Sequence, residues 1–348
     1  MSRHIFPAVF FLLIFSSIAM ADGESFFSFG RQVSSRRNSR LQLSVGQVRQ
    51  IDFIIEETTR AFYDVTGRED DQERAQIFDG SDFNMEEGYL TLGVKWENAR
   101  KYFTWKAEAS VMNPSTEAEA RRNYYISIGR EVEYEGKLYD HMFIPEGDEF
   151  EVEIIGGTLE LRSQITPFTL QPVQNLRIIP WVELGLFTFI GQYILDAGEP
   201  RGSKTYQIPP VDFVEGGRSR GFAGMGLPEW GAGGEVRIGN DDGYVVSLSG
   251  SYTVCEYRGG TRFFTSSRHR EKRLDLNHRN IRLQANVELP TASGRAWLVG
   301  ARYQRVNSDA LIESTGETVE EIIERRERFD KEIEFDYESL EFLVGFTF

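Results

Sequence analysis

Apolar residues recur at every second position through one segment after another, and this period limits the chain more than any other feature. In YLTLGVKW, 89–96, Leu90, Leu92, Val94 and Trp96 share one face while Tyr89, Thr91, Gly93 and Lys95 share the other. After the link ENARK, YFTWKAEASV sets Phe103, Trp105, Ala107, Ala109 and Val111 against Tyr102, Thr104, Lys106, Glu108 and Ser110. Successive side chains of an extended strand point to opposite faces, so a period of two means strand rather than helix. Two such strands on a short link form an antiparallel hairpin. The construction returns at 229–257, where the turn NDDG carries an Asp-Gly pair suited to positive φ. It returns again at 281–304 around PTASG.

Two further long segments, 149–166 and 175–195, are joined by PFTLQPVQ. The second is almost continuously apolar from Ile178 to Leu195 and is the chain's best case for a membrane helix. Pro180, Glu183, Gly185 and Gly191, with many β-branched and aromatic neighbours, favour a strand instead. Links at 167–174, 239–243 and 290–294 are short, whereas those at 196–227, 258–275 and 308–333 are long, polar and charged. Strands are expected near 86–97, 101–112, 122–135, 149–166, 175–192, 229–239, 243–257, 277–290, 294–307 and 335–348. The segment LQLSVGQVRQIDFIIEETTRAFYDVTG adds one or two more.

SLEFLVGFTF, 339–348, places Leu340, Phe342, Val344, Phe346 and Phe348 on one face and closes on an aromatic residue. This resembles the last strand of bacterial outer-membrane β-barrels, which the barrel assembly machinery recognises; Phe342, Val344, Phe346 and Phe348 would be that signal. Alternation of short and long links is the asymmetry expected of such barrels, with tight periplasmic turns and longer outer loops. At the other end, residues 1–21 combine Arg3, an apolar run from Ile5 to about Phe15 and Ala19-Met20-Ala21, the pattern of a cleaved secretory signal peptide. The expected fold is all-β, a transmembrane antiparallel up-and-down barrel of about twelve strands, or ten, since single-chain bacterial barrels have an even number. Residues 22–39 are expected as a periplasmic segment and 40–348 as the single barrel domain.

Composition excludes several classes. Asp and Glu outnumber Lys and Arg by 54 to 39, a formal charge of −15 that becomes −16 once Arg3 leaves with the leader. A general nucleic-acid binder carries the opposite balance. The single cysteine, Cys255, cannot close an intramolecular disulfide, so an exported fold must hold without one. Hydrophobic residues are only 40% of the chain, which suits a barrel that hides its lipid face in alternate positions.

If the apolar faces meet lipid, the opposite faces line the lumen. Lys95, Lys106, Glu108, Glu235, Arg237, Arg282, Gln284, Glu288 and Arg302 would point inward, either as an ion-pair network that stiffens the barrel or as the lining of a narrow selective pore. In RHREKR, Arg268, Arg270, Lys272 and Arg273 would face lipopolysaccharide phosphates. Lipid, lipopolysaccharide and the assembly machinery are the expected partners, with no cofactor, no metal and no nucleic acid; oligomeric state stays open. The GRSRG stretch, 217–221, has the spacing of a serine nucleophile elbow around Ser219 but lacks a following helix. His141, His269 and His278 are placed in outer loops or at the outer rim, near Asp140, Ser266, Ser267 and Asp275, where a general base would find partners. The leading reading is a non-enzymatic barrel, a narrow pore or a surface-exposed structural protein. The alternatives are an outer-membrane hydrolase with a rim-located active site and a soluble exported β-protein.

Overall fold

A computed structural model describes residues 27–31, 38–58, 74–76, 89–120, 124–207, 210–240, 243–260, 272–314 and 331–348. It contains 18 strands: β1 (Phe27–Phe29), β2 (Ser39–Thr58), β3 (Arg74–Gln76), β4 (Tyr89–Ala99), β5 (Phe103–Met112), β6 (Ser115–Glu119), β7 (Tyr124–Tyr134), β8 (Lys137–Ile144), β9 (Glu149–Ile165), β10 (Phe168–Val173), β11 (Leu176–Asp196), β12 (Gly202–Gln207), β13 (Pro210–Glu215), β14 (Arg218–Gly239), β15 (Val245–Gly260), β16 (Lys272–Pro290), β17 (Ala296–Ser314) and β18 (Lys331–Thr347).

The large antiparallel sheet runs in the order β11-β14-β15-β16-β17-β18-β2-β4-β5-β9, and β9 pairs with β11 in turn. Ten long strands are thus linked in a circuit. An even number lets every neighbour be antiparallel all the way round. The segment 175–195 is the strand β11, pairing with β14 from Leu176↔Ile238 to Asp196↔Arg218 and with β9 from Val182↔Ile165 to Asp196↔Glu151. A helix there would have left both neighbours with unpaired edges.

Several expected boundaries differ. The segment expected at 122–135 is β7, and it lies outside the circuit in a four-stranded sheet ordered β12-β13-β8-β7. Its hairpin turns at Glu135 and Gly136, both with positive φ, and carries it back onto β8 instead of onto β5 or β9. With β7 outside and the segment 41–67 supplying only β2 to the path, ten strands, not twelve, share the circuit among the described residues. Strand also reaches into the long polar links: β14 begins at Arg218, β15 runs to Gly260, and β17 runs to Ser314. Polar composition there signals that the outer face of these extensions is wet. The leader expected at 1–21 and the charged stretch at 315–330 lie outside the described residues.

Burial alternates along each circuit strand with the apolar residues outward. Leu41, Leu43 and Val45 on β2, Leu90, Leu92 and Val94 on β4, and Ile281, Leu283, Val287 and Leu289 on β16 are all exposed. From Ile281 to Leu289 the strand rises about 27 Å, or roughly 20 Å at a tilt of ~40°. Exposed aromatic residues border this band. Trp96, Trp105, Tyr244, Trp297 and Phe348 lie by the short turns, and Trp230 and Tyr252 mark the other limit. Phe342 and Val344 are likewise exposed, while Phe346 packs against Trp297 at 5.2 Å and the Phe348 amide donates to the Ser39 carbonyl.

The inner face changes character with height. Nearest the short turns it is charged; beyond the band it becomes a core of Val48, Met112, Val152, Ile154, Phe187, Phe189, Phe335 and Tyr337. Tyr124, Ile126, Met142 and Ile144 of the small sheet complete that core, so the sheet closes this end of the circuit. Gly46 lets β2 and β18 approach closely. A Cβ there would lie 2.6 Å from both Cα and Cγ of Glu341 and would meet the Leu340 carbonyl. Gly46→Val is expected to lower stability by about 1–3 kcal/mol through overpacking. Urea unfolding in detergent, followed by the gel-mobility difference between heated and unheated protein, measures it.

Candidate functional site

The inner faces of the circuit strands carry eight buried carboxylates, Glu97, Glu108, Glu160, Glu183, Glu229, Glu235, Glu288 and Glu341. Eight cations face them, Arg31, Arg40, Lys95, Lys106, Arg162, Arg237, Arg282 and Arg302. Charges of both signs survive out of water only when each is paired and its hydrogen-bonding capacity is met. Here every one of the sixteen has a partner of opposite sign.

Near the short turns, residues 27–31 lie along β10, where the Gly30 amide donates to the Pro167 carbonyl. This carries Arg31 inward to Glu235 at 2.7 Å. Arg237 and Arg40 both reach Glu288, each at 2.9 Å, and Arg40 also faces Glu97. Lys106 bridges Glu97 at 3.5 Å and sits over the Trp181 ring. One level higher, Glu108 receives Lys95 at 3.1 Å together with Arg162 and Arg302, and Arg302 donates to both oxygens of Glu341. Arg282 sits at the centre of the uppermost ionic level, bonding Glu160 at 2.9 Å, Glu183 at 3.1 Å and Glu229 at 2.5 Å.

At the boundary with the apolar core a different group appears. His278 places Nε2 2.9 Å from Glu229 Oε1 and Nδ1 2.6 Å from Ser308 Oγ. All three side chains are buried, and the imidazole stacks on Phe187 at 5.7 Å. Asn280 donates to the same Glu229 oxygen, while Arg282 and Thr253 donate to the other. A carboxylate so held accepts only, so His278 Nε2 must donate. In the neutral imidazole Nδ1 is then the acceptor and the Ser308 hydroxyl its donor.

The sequence-predicted interior residues Lys95, Lys106, Glu108, Glu235, Arg237, Arg282, Gln284, Glu288 and Arg302 therefore lie together inside the circuit, eight of them as ion-pair members. Gln284 joins through its amide, accepting from Lys95 and donating to Asn286. The alternation missed Arg31, Arg40, Glu97, Glu160, Arg162, Glu183, Glu229, Glu341 and Ser308. Most of these alternate in step with their strands, so the same count extended along β9, β11 and β18 finds them. Arg31 arrives from outside the circuit and has no such signal. His278 is not at a rim: it points inward from β16, because β16 begins at Lys272, five residues before the expected start at 277, and so carries His278 away from the strand end. His141 packs on Phe213 at 5.2 Å in the small sheet. Ser219 sits buried within the strand β14, where no elbow exists. His269, Arg268 and Arg270 fall outside the described residues, as does the Lys272 side chain; Arg273 is exposed. No group of His, Cys, Asp and Glu suited to a metal ion occurs among the described residues.

No protein-family model matches the chain, and no curated protein does. Among solved structures it is similar to the outer membrane protease OmpT of Escherichia coli, at 10% identity over 91% of this chain and 99% of that one, with a TM-score of 0.38. A Pseudomonas aeruginosa FadL homologue follows at 8% identity, 89% and 90% coverage and a TM-score of 0.23. The P. putida toluene transporter TodX aligns over 89% and 90% at 8% identity, with a TM-score of 0.18. At these scores nothing about the site carries over, and its chemistry rests on its own residues.

Arg282→Ala leaves three carboxylates facing each other without their shared cation. It is expected to destabilise the protein by about 3–5 kcal/mol. Arg258→Ala removes an exposed partner of Asp275 and should change stability by less than about 1 kcal/mol. Unfolding midpoints of the two variants against the parent test the contrast.

Proposed function

We propose that the ten-strand circuit is a closed barrel spanning the outer membrane, with the short turns on the periplasmic side and the small sheet outward. It acts at its outer face and does not serve as a pore. The exposed apolar band with aromatic borders supports the membrane assignment, because a soluble sheet of this area would hide that face.

One observation carries the second part: the interior is filled. The space among Lys95, Lys106, Arg162, Trp181, Arg282 and Arg302 amounts to about 20 Å³, room for about one water molecule. Above it stands the apolar core capped by the small sheet. A solute would have to part a neutral ion-pair network and then a packed hydrocarbon layer. These two layers, among the described residues, support a sealed barrel that presents its outer part at the cell surface over a narrow pore.

In planar lipid bilayers the purified protein is expected to give no stepwise conductance, and regular unitary steps would overturn this reading. Leu283→Arg, on the lipid face of β16, should cost about 2–4 kcal/mol of folding free energy in lipid vesicles. An unchanged value would mean that this face does not meet hydrocarbon.

A further inference from the structure

We propose that Ser308, His278 and Glu229 form a hydrolytic relay for carboxylic esters of an apolar acyl chain, reached from the side through a seam between β14 and β15. This rests on the sealed-barrel reading only for the direction from which substrate comes.

The relay stands on hydrogen-bond logic. Glu229 is an acceptor, which sets His278 with its proton on Nε2 and its lone pair on Nδ1. That lone pair lies 2.6 Å from Ser308 Oγ. Nucleophile, base and orienting acid thus stand in the order that activates a serine, with the two ring nitrogens exchanging their usual parts. Strand geometry holds them rigidly. His278 and Ser308 are cross-strand partners on β16 and β17, and Glu229 reaches them from β14. The group lies where the ionic interior gives way to the apolar core, so a carbonyl placed there could keep its hydrocarbon chain in the apolar layer.

The seam follows from the pairing. β14 and β15 are bonded only as far as Trp230↔Val254. Beyond that, β14 stays with β11 to Asp196↔Arg218 and β15 stays with β16 to Gly260↔Arg273. Between the two lips, side chains close what backbone bonds do not. Met225 and Leu227 meet Cys255, Tyr257, Leu274 and Leu276. On the neighbouring β15–β16 face a depression of about 320 Å³ is lined by Glu256, Arg258, Asp275, Asn277 and Arg279 as well as Tyr257 and Leu276, with no residue from β14. The lower end of the seam touches the relay, since Glu229 precedes Trp230 and Cys255 is the cross-strand partner of His278. Exposed Trp230 and Tyr252 place that end at the border of the apolar band, where an acyl ester of a membrane lipid has its carbonyl. Apolar lips part more readily for a hydrocarbon chain than for a polar one.

In the reaction Ser308 Oγ adds to the ester carbonyl carbon while its proton passes to His278 Nδ1. The bond to the alcohol oxygen breaks as His278 returns the proton to it, leaving an acyl-serine. Water, giving a proton to the same nitrogen, then displaces the acyl group as the carboxylic acid and restores the Ser308 hydroxyl.

The test uses the full-length protein folded in detergent micelles, with a fluorophosphonate probe and the p-nitrophenyl esters of butyrate and dodecanoate. Heat-dependent gel mobility verifies folding of every variant. The wild type is expected to be labelled and to cleave dodecanoate at least about tenfold faster than butyrate. Ser308→Ala should abolish labelling, and His278→Gln should reduce labelling and hydrolysis by roughly 100-fold or more. A folded wild type with neither labelling nor hydrolysis, or labelling that survives in Ser308→Ala, overturns the relay. Preference for butyrate overturns the seam as the route for the acyl chain. Conductance by a protein that is labelled would fail the sealed-barrel reading and leave the relay standing.

Discussion

Everything inside this protein depends on charge being neutralised out of water. An isolated carboxylate in a low-dielectric interior carries a penalty of many kcal/mol, which a single partner offsets only in good geometry. The circuit meets this demand by sharing. Glu108 takes three cations, Arg282 takes three carboxylates, and Glu288 takes two arginines from opposite walls. Shared ions cross-link strands that are not neighbours: Arg302 on β17 meets Glu108 on β5, and Arg40 on β2 meets Glu288 on β16. The network therefore fixes the shape of the ring from within, while backbone hydrogen bonds fix only the order of strands along its wall.

The vertical division of the interior has the same origin. Ion pairs fill the section whose outside is apolar, and an apolar core fills the section whose outside is polar. A strand that crosses both regions must exchange its inner and outer preferences partway along. On β11 the inner face passes from Glu183 to Phe187, on β14 from Glu229 to Leu227, and on β18 from Glu341 to Tyr337. Most strands make the exchange at one height. Ser308, His278 and Glu229 lie in that plane, where polar groups can be held rigidly and a hydrocarbon can still lie beside them.

The same exchange explains what the sequence made legible. Period-two alternation identified the strands of the lower section correctly, including β11 against a helical reading, because there most large apolar residues face outward, with inward exceptions such as Ile179, Trp181, Leu298 and Leu343. The exterior extensions were read as loops, since 196–227 and 258–275 carry charge and glycine where the lower section carries leucine and tryptophan. In the described parts of those extensions, such as 218–220 and 256–258, charged residues including Arg218, Arg220, Glu256 and Arg258 are the outward set and the strand continues. Taking β7 as a wall strand is a different error. Alternation tells how a strand is half-buried but not which neighbour it pairs with, and the Glu135–Gly136 turn folds it back on β8. His278 was misplaced because the strand expected from 277 begins at Lys272, and its link to Ser308 and Glu229 joins three separate strands, a relation that no local pattern contains.

The pairing of β18 with β2, from Thr347↔Arg40 to Lys331↔Glu57, has a consequence for how the molecule comes to exist. The two strands that meet there stand almost a whole chain length apart, and no shorter-range contact can substitute for theirs. Until the last of the strands is available, the growing sheet presents two bare edges and an unclosed set of charges. Such an intermediate invites pairing with any other strand nearby. Glu341 meets Arg302 across the local β17–β18 pair, whereas the junction of β18 with β2 sets Arg40 of β2 against Glu288 of β16. Long-range strand pairing and burial of charge are coupled through that junction.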